Sequence, residues 1–170
     1  PKYPNELGTY IGEVDFEGKK HGFGKLTSVS YEKEGEWRKG KFTGWGREKM
    51  KNGEFFEGKF IDGALNGKGV YKSPYGDLYI GDFSNNNKHG RGVLITKTFH
   101  YEGDFKDDKI EGNGKIDFLE AGHSFEGEFK DNQINGEGIF KWKNGDIYKG
   151  TMKDGKMDGF GEFKSKDGYT

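Results

Sequence analysis

The sequence predicts an all-β fold, an elongated single-layer antiparallel sheet of successive β-hairpins. Glycines recur with a period of about 23 residues, aromatic side chains flank them at two-residue spacing, and turn-forming pairs separate the segments. Hydrophobic residues make up only 30% of the 170 residues, which is too few for an ordinary two-layer core. The chain is nevertheless 16% aromatic, and disordered chains are poor in aromatics, so we expect an ordered fold.

Each repeat is predicted to be one hairpin. An aromatic residue lies two positions before the repeat's first glycine in six of the seven repeats, and a large side chain lies two positions after it. A Gly-x-Gly pair, such as Gly67 and Gly69, follows about ten residues later. Side chains two residues apart share one face of a strand, so these two patterns form the two strands of a hairpin. The first glycines are Gly12, Gly35, Gly58, Gly81, Gly103, Gly127 and Gly150.

Turn chemistry joins the strands. Pairs such as Asp62-Gly63 and Asn85-Asn86 lie between the two patterns of a repeat and favour the positive φ angles of tight hairpin turns. Glycine inside a strand leaves room above the backbone, so we expect an aromatic ring of the neighbouring strand to lie over it. The predicted organisation is a lead-in at 1–9, seven repeats in 10–166, and the start of a truncated eighth repeat at 167–170.

The segments YIGDFSNNNKHGRG (79–92) and FEGEFKDNQINGEG (125–138) closely resemble the MORN repeat, the membrane occupation and recognition nexus motif. The resemblance covers Tyr10 to Thr170. It implies a curved, trough-like sheet that serves as a scaffold or docking module, often at cytoskeletal structures or membranes. The second repeat departs from the pattern, with Lys33 at the aromatic position and Glu48 at the apolar position. We expect this repeat to be less well packed.

Composition and motifs exclude several classes of function. The chain has 28 basic and 29 acidic residues, which argues against a nucleic-acid partner because such binding relies on a basic excess. It has no cysteine, and therefore no thiol nucleophile or zinc thiolate site. The GxxxxGK matches at 35–41 and 150–156 lack the following Ser or Thr of a phosphate-binding loop. We predict no enzyme, cofactor or metal site, and an intracellular, cytoplasmic location at the cytoskeleton or membrane periphery.

The leading functional prediction is a scaffold that binds a helix or extended segment of a partner protein along an aromatic-lined groove. Rigid rings suit this role, because they bury a large area at low entropic cost. The same rings are also needed for folding. The predicted groove residues are Phe56, Phe60, Tyr79, Phe83, Tyr101, Phe105, Phe125 and Phe129.

A second interpretation is a phosphoinositide- or membrane-binding module, and a third is the regulatory repeat region of a larger enzyme. The second rests on a basic cluster, for which a solvated and nearly neutral face is the alternative. Its residues are Arg38, Lys39, Lys41, Trp45, Arg47, Lys49 and Lys51.

Two further surfaces are predicted. Phe23, Trp45 and Phe160 lie between paired glycines and therefore point to the face opposite the main aromatic rows. They are candidate contacts, or are covered by a chain end or a second copy. The terminal strands are open edges, so a homodimer is also predicted.

Overall fold

The computed structural model describes residues 8–168, and within that range it contains fourteen β-strands and no helix. Most of the predicted lead-in and the end of the predicted eighth repeat, residues 1–7 and 169–170, lie outside the described residues. The strands are β1 Gly8–Val14, β2 Lys20–Ser28, β3 Tyr31–Arg38, β4 Lys41–Met50, β5 Phe55–Ile61, β6 Ala64–Lys72, β7 Leu78–Ser84, β8 Asn87–Ile95, β9 Phe99–Lys106, β10 Lys109–Phe118, β11 His123–Lys130, β12 Gln133–Lys141, β13 Ile147–Lys153 and β14 Lys156–Lys164.

The chain divides into two compact units, Pro1–Asn87 and Lys88–Thr170. In the first unit each strand from β1 to β7 pairs antiparallel with the next one along the chain. The second unit repeats this arrangement from β8 to β14. The predicted fold class, all-β with an open antiparallel sheet of successive hairpins, is confirmed.

The hairpin turns have the predicted geometry and also link one repeat to the next. Asp62 and Gly63 have φ angles of 50° and 90°, and Asn85 and Asn86 have 48° and 70°. The second turn residue donates its backbone N–H to a carbonyl of the preceding repeat, as from Asn86 to Leu65 at 3.0 Å. The Asn86 side chain accepts the Leu65 N–H at 2.7 Å in return. Each turn therefore holds two hairpins in register.

The core consists of rings lying along the sheet. Tyr101 contacts Phe105 and Phe129 edge-to-face, with ring centroids 5.2 and 5.1 Å apart. Its ring covers Gly114 on the adjacent strand, where an added Cβ would lie 2.5 Å from two ring carbons. Phe125 covers Gly138 in the same way. The rings thus bury one another and the glycine backbone, and the predicted pairing of ring with glycine is confirmed.

Tyrosine hydroxyls fasten this layer to the backbone. The hydroxyl groups of Tyr79, Tyr101 and Tyr148 each donate to the carbonyl three residues ahead, at 2.9, 3.0 and 3.1 Å. Burial, together with the nearby Asp104 carboxylate, raises the pKa of Tyr101 to about 12. A neutral, hydrogen-bonded phenol is therefore part of the core.

The second repeat is not loosely packed, because its two departures from the pattern compensate one another. Lys33 and Glu48 are direct neighbours across β3 and β4, and their charged groups lie 3.4 Å apart. Their side chains are only 18% and 15% exposed. The Lys33 ammonium also lies over the rings of Tyr31 and Phe42, at 5.1 and 5.7 Å from the centroids. Phe42 fills the space above Gly46.

Candidate partner-binding surface

The face opposite the rings carries a row of side chains, one from each strand, which we call the charged row. Within each unit, strand pairing places these residues directly beside one another. Opposite charges alternate along much of it, as in Glu102, Lys115 and Glu126. In the first unit its members are Ile11, Lys25, Glu34, Arg47, Glu57, Val70 and Ile80. In the second unit they are Val93, Glu102, Lys115, Glu126, Ile139, Lys149 and Glu162.

Several members of the charged row in the first unit form ion pairs. The Arg47 guanidinium donates to the Glu34 carboxylate at 2.9 Å. This hydrogen bond and the charge of Glu34 raise the pKa of Arg47 above its usual value. Lys25 lies 3.1 Å from Glu32, and its hydrogen bond and charge lower the pKa of that carboxyl. These exposed pairs add little stability, but they fix the pattern of charge that a partner meets.

The same face of the second unit forms a recess of about 1020 Å³. Four glutamates line it without a salt-bridge partner among residues 8–168, namely Glu102, Glu126, Glu137 and Glu162. Lys115 also lines it and is paired with Asp117 at 3.2 Å. Arg91 and Lys149 line the recess as well, so its four glutamates exceed its three basic side chains by one.

Three large rings project from this face into solvent. Phe23 is 58% exposed, Trp45 60% and Phe160 98%. Each occupies the middle position of a Gly-x-Gly pair. Gly22 and Gly44, which precede two of them, have φ angles of 63° and 78°, a left-handed conformation that glycine adopts without strain. The prediction that these rings face away from the main aromatic rows is confirmed.

The predicted groove rings lie mostly in the core. Seven of the eight are buried, and Phe56 is half-buried. Their burial gives them a packing role within the sheet, because contact with a partner would require the rings to become exposed. That they bind a partner stays a prediction. The seven are Phe60, Tyr79, Phe83, Tyr101, Phe105, Phe125 and Phe129.

The structure distributes the predicted basic cluster over a strand pair and its turns. Alternation along β4 places Trp45, Arg47 and Lys49 on the face of the charged row. Acidic residues neutralise three cations: Lys41 pairs with Asp62 at 2.9 Å, Lys51 with Glu32 at 3.8 Å, and Arg47 with Glu34. Arg38, Lys39 and Lys49 have no ion-pair partner within the described part of the chain.

The described residues offer few groups for chemistry. Residues 8–168 include no cluster of three or more His, Asp or Glu side chains arranged to hold a metal ion. The GxxxxGK match at 35–41 lies in β3, the following turn and the first residue of β4, and residues 8–168 contain no helix whose N-terminus could bind a phosphate. No helix in this range is long and apolar enough to cross a membrane.

The sequence contains a signal for the charged row in the residues that flank the repeat glycines. The residue just before the first glycine of a repeat is glutamate in four of the seven repeats, including Glu57 and Glu126. The residue just after the Gly-x-Gly pair is basic in three, including Lys25 and Lys115. Glycine registers with glycine across the strands, as Gly114 does with Gly127, so these flanking positions must meet.

Comparison with known proteins agrees with this architecture. No curated protein matches the chain. Among solved structures, it is similar to the SAS-4 (dCPAP) TCP domain of Drosophila melanogaster, determined in complex with a proline-rich motif of Ana2 (dSTIL). The TM-score is 0.52 and the identity 11%, over 98% of this chain and 94% of the other. At this identity the likeness concerns the fold alone.

A family model for the MORN repeat matches this chain seven times and accounts for most of its length. The matched segments are residues 8–32, 34–55, 56–77, 79–98, 101–118, 125–147 and 148–168. The MORN repeat is a non-catalytic repeat module. The chain therefore belongs to the MORN repeat family.

Proposed function

We propose that this chain is a non-catalytic scaffold that binds an extended or helical segment of a partner protein on the face of the charged row. One observation carries the proposal. The large rings of one face are buried in the core, whereas the other face presents exposed rings, unpaired charges and a recess. Exposed apolar groups rimmed by polar residues mark interaction sites on protein surfaces.

The properties of this face suit a protein partner. Exposed Phe23 and Trp45 are rigid anchors of the kind that dominate binding energy, and the charges around them provide specificity and steering. A repeat sheet offers a long surface to a long segment. The similar TCP domain was determined with a proline-rich motif of a partner, which supports a sheet of this fold as a receptor for protein segments.

Photo-crosslinking tests the assigned face. A benzoylphenylalanine placed at Glu57 or at Glu126 samples the charged row in each unit. Controls at Tyr75 and Leu119 sample exposed turns. We expect partner adducts, identified by mass spectrometry of extracts from the native source, at the two glutamate positions only. Equal yields at the turn positions would contradict the assignment.

Phosphoinositide binding is the second candidate, favoured by the unpaired Arg38, Lys39 and Lys49. Sedimentation with vesicles of phosphatidylcholine, with and without 5% phosphatidylinositol bisphosphate, tests it. Binding that requires the anionic lipid and is lost in the double variant Lys39→Ser/Lys49→Ser supports a lipid site. Equal sedimentation with both kinds of vesicle rules this site out.

We further propose that the scaffold organises a cytoskeletal or membrane-associated complex and forms a homodimer. Fractionation of cells and light scattering test these two points.

A further inference from the structure

We infer that the exposed rings of Phe23 and Trp45 form a docking site for a proline-rich segment in the polyproline II conformation, flanked by acidic residues. This inference rests on the proposed function and names the chemistry of the partner for the first unit.

The two rings occupy equivalent positions on strands separated by one strand. Gly24, Gly35 and Gly46 are neighbours across β2, β3 and β4, and each ring precedes one of the outer two glycines. Phe23 and Trp45 therefore stand in one row across the sheet. With about 4.8 Å between adjacent strands, their attachment points are roughly 9.6 Å apart.

This separation distinguishes among the regular conformations of a bound segment. A polyproline II helix returns to the same side every three residues, after about 9.3 Å. An extended strand presents side chains on one side every two residues, at intervals of about 6.7 or 13.4 Å. Neither interval matches the roughly 9.6 Å between the two rings. An α-helix returns to the same side after seven residues, or about 10.5 Å, and is much wider. Prolines three residues apart therefore match the two rings best.

Chemistry favours the same occupant. A proline ring packs against an exposed aromatic face, and a segment already in the polyproline II conformation loses little entropy on binding. Glu13 holds the backbone of Phe23 in place, because its carboxylate accepts the Phe23 N–H at 3.2 Å. Trp45 projects from a central strand, β4, that is paired on both sides. The backbone that carries both anchors is therefore held in place in the free protein.

The charges beside the rings select the flanking residues. Lys59 is the direct cross-strand neighbour of Trp45, and Arg38 lies with it along a recess of about 460 Å³. Neither cation has an ion-pair partner within residues 8–168. Among the described residues that line this recess, Glu36 is the one carboxylate, so two cations face a single negative charge. An acidic residue just beyond the proline that contacts Trp45 would meet both cations.

Nuclear magnetic resonance titration of the full chain with synthetic peptides tests the site. The probe is acetyl-PPAPPAPDD-amide, in which prolines recur at every third residue. The conformational control is acetyl-GSAGSAGDD-amide, and the charge control is acetyl-PPAPPAPKK-amide. We expect saturable binding of the probe, with shifts centred on the Phe23 amide and the Trp45 indole. We expect at least tenfold weaker binding of the glycine-serine peptide and at least threefold weaker binding of the lysine peptide.

Variants locate the site. Phe23→Ala and Trp45→Ala should each lower the affinity for the probe peptide at least tenfold. Phe160→Ala is the matched control, because Phe160 occupies the same repeat position and is more exposed, but the ring position two strands away holds Glu137. We expect its affinity to stay within twofold of wild type, and all three variants to melt as wild type does, since these rings lie outside the core.

Specific results overturn the inference. They are equal binding of the glycine-serine peptide, an equal loss in Phe160→Ala, or no saturable binding of the probe at millimolar concentration. If crosslinks at Glu57 and Glu126 identify a partner while the probe fails, the scaffold function stands and the polyproline site falls. If the crosslinks fail as well, both fall.

Discussion

The half-buried ion pair of Lys33 and Glu48 should behave as one unit, so that removing either partner alone is more harmful than removing both. The two charged groups lie 3.4 Å apart in a setting where the side chains are 18% and 15% exposed. For unit charges at 3.4 Å, Coulomb's law gives about 5 kcal/mol of attraction at an effective dielectric constant of ~20. Desolvation of both groups offsets most of it, so the net contribution of the pair is small.

The two single replacements are not equivalent. Lys33→Met leaves the Glu48 carboxylate unpaired, and we expect it to cost about 2–3 kcal/mol of unfolding free energy. Glu48→Leu leaves the Lys33 ammonium over the rings of Tyr31 and Phe42, and this contact reduces the expected cost to about 1–2 kcal/mol. The double variant restores an apolar pair and should lie within about 1 kcal/mol of wild type.

Urea denaturation followed by tryptophan fluorescence measures these differences in a Trp142→Phe background. The remaining tryptophans, Trp37 and Trp45, then report on the first unit alone, where the pair lies. This separation matters because repeat arrays need not unfold in one step. The double-mutant cycle should yield a coupling energy of about 2 kcal/mol or more. If the two single losses simply add in the double variant, the pair is not coupled and the reasoning fails.

Three further predictions concern the ring layer. Stability should fall as the pH rises from about 10, the ordinary tyrosine pKa, to about 12, because the folded protein keeps Tyr101 protonated over that interval. Tyr101→Phe should flatten this fall in thermal melts at pH 9 to 12 and cost about 1 kcal/mol at neutral pH; an unchanged pH profile would assign the effect elsewhere. Phe125→Tyr should place a hydroxyl near the Glu128 carbonyl, as its tyrosine counterparts do, and raise the free energy of unfolding in urea by about 1 kcal/mol; a loss would mean that this carbonyl is out of reach. Gly114→Ala should lose about 2–3 kcal/mol in the same assay, because its Cβ would meet the buried Tyr101 ring, and a neutral result would show that the ring can move aside.

Much of the fold could be predicted because it is local. The turn pair Asp62-Gly63, the alternation along each strand and the pairing of rings with glycines all depend on residues within one repeat or its neighbour. The location of Phe23 and Trp45 on the face of the charged row followed from alternation alone. These features require no knowledge of long-range packing.

The role of the main rings was harder to predict. A single-layer sheet suggested rings lining an open groove, yet Tyr101 and Phe129 are buried. They pack edge-to-face with one another, and so exclude water without a second layer. Likewise, Lys33 and Glu48 looked like two separate defects, because their contact depends on the register between β3 and β4. A bulge between Gly35 and Trp37 changes that register: Gly35 faces Gly46, but Trp37, two residues later, faces Phe42.

The middle residue of the Gly-x-Gly pair is the position at which each repeat can differ without disturbing the fold. Its two neighbours carry no side chain, and its own side chain projects away from the ring layer. This chain uses that freedom fully, with Phe23, Trp45, Lys68, Arg91, Asn113, Glu137 and Phe160 in successive repeats. Positions on the ring face are constrained by packing, and many positions of the charged row by the opposite charge beside them. We therefore expect a partner bound on this face to contact these residues together with the charged row beside them.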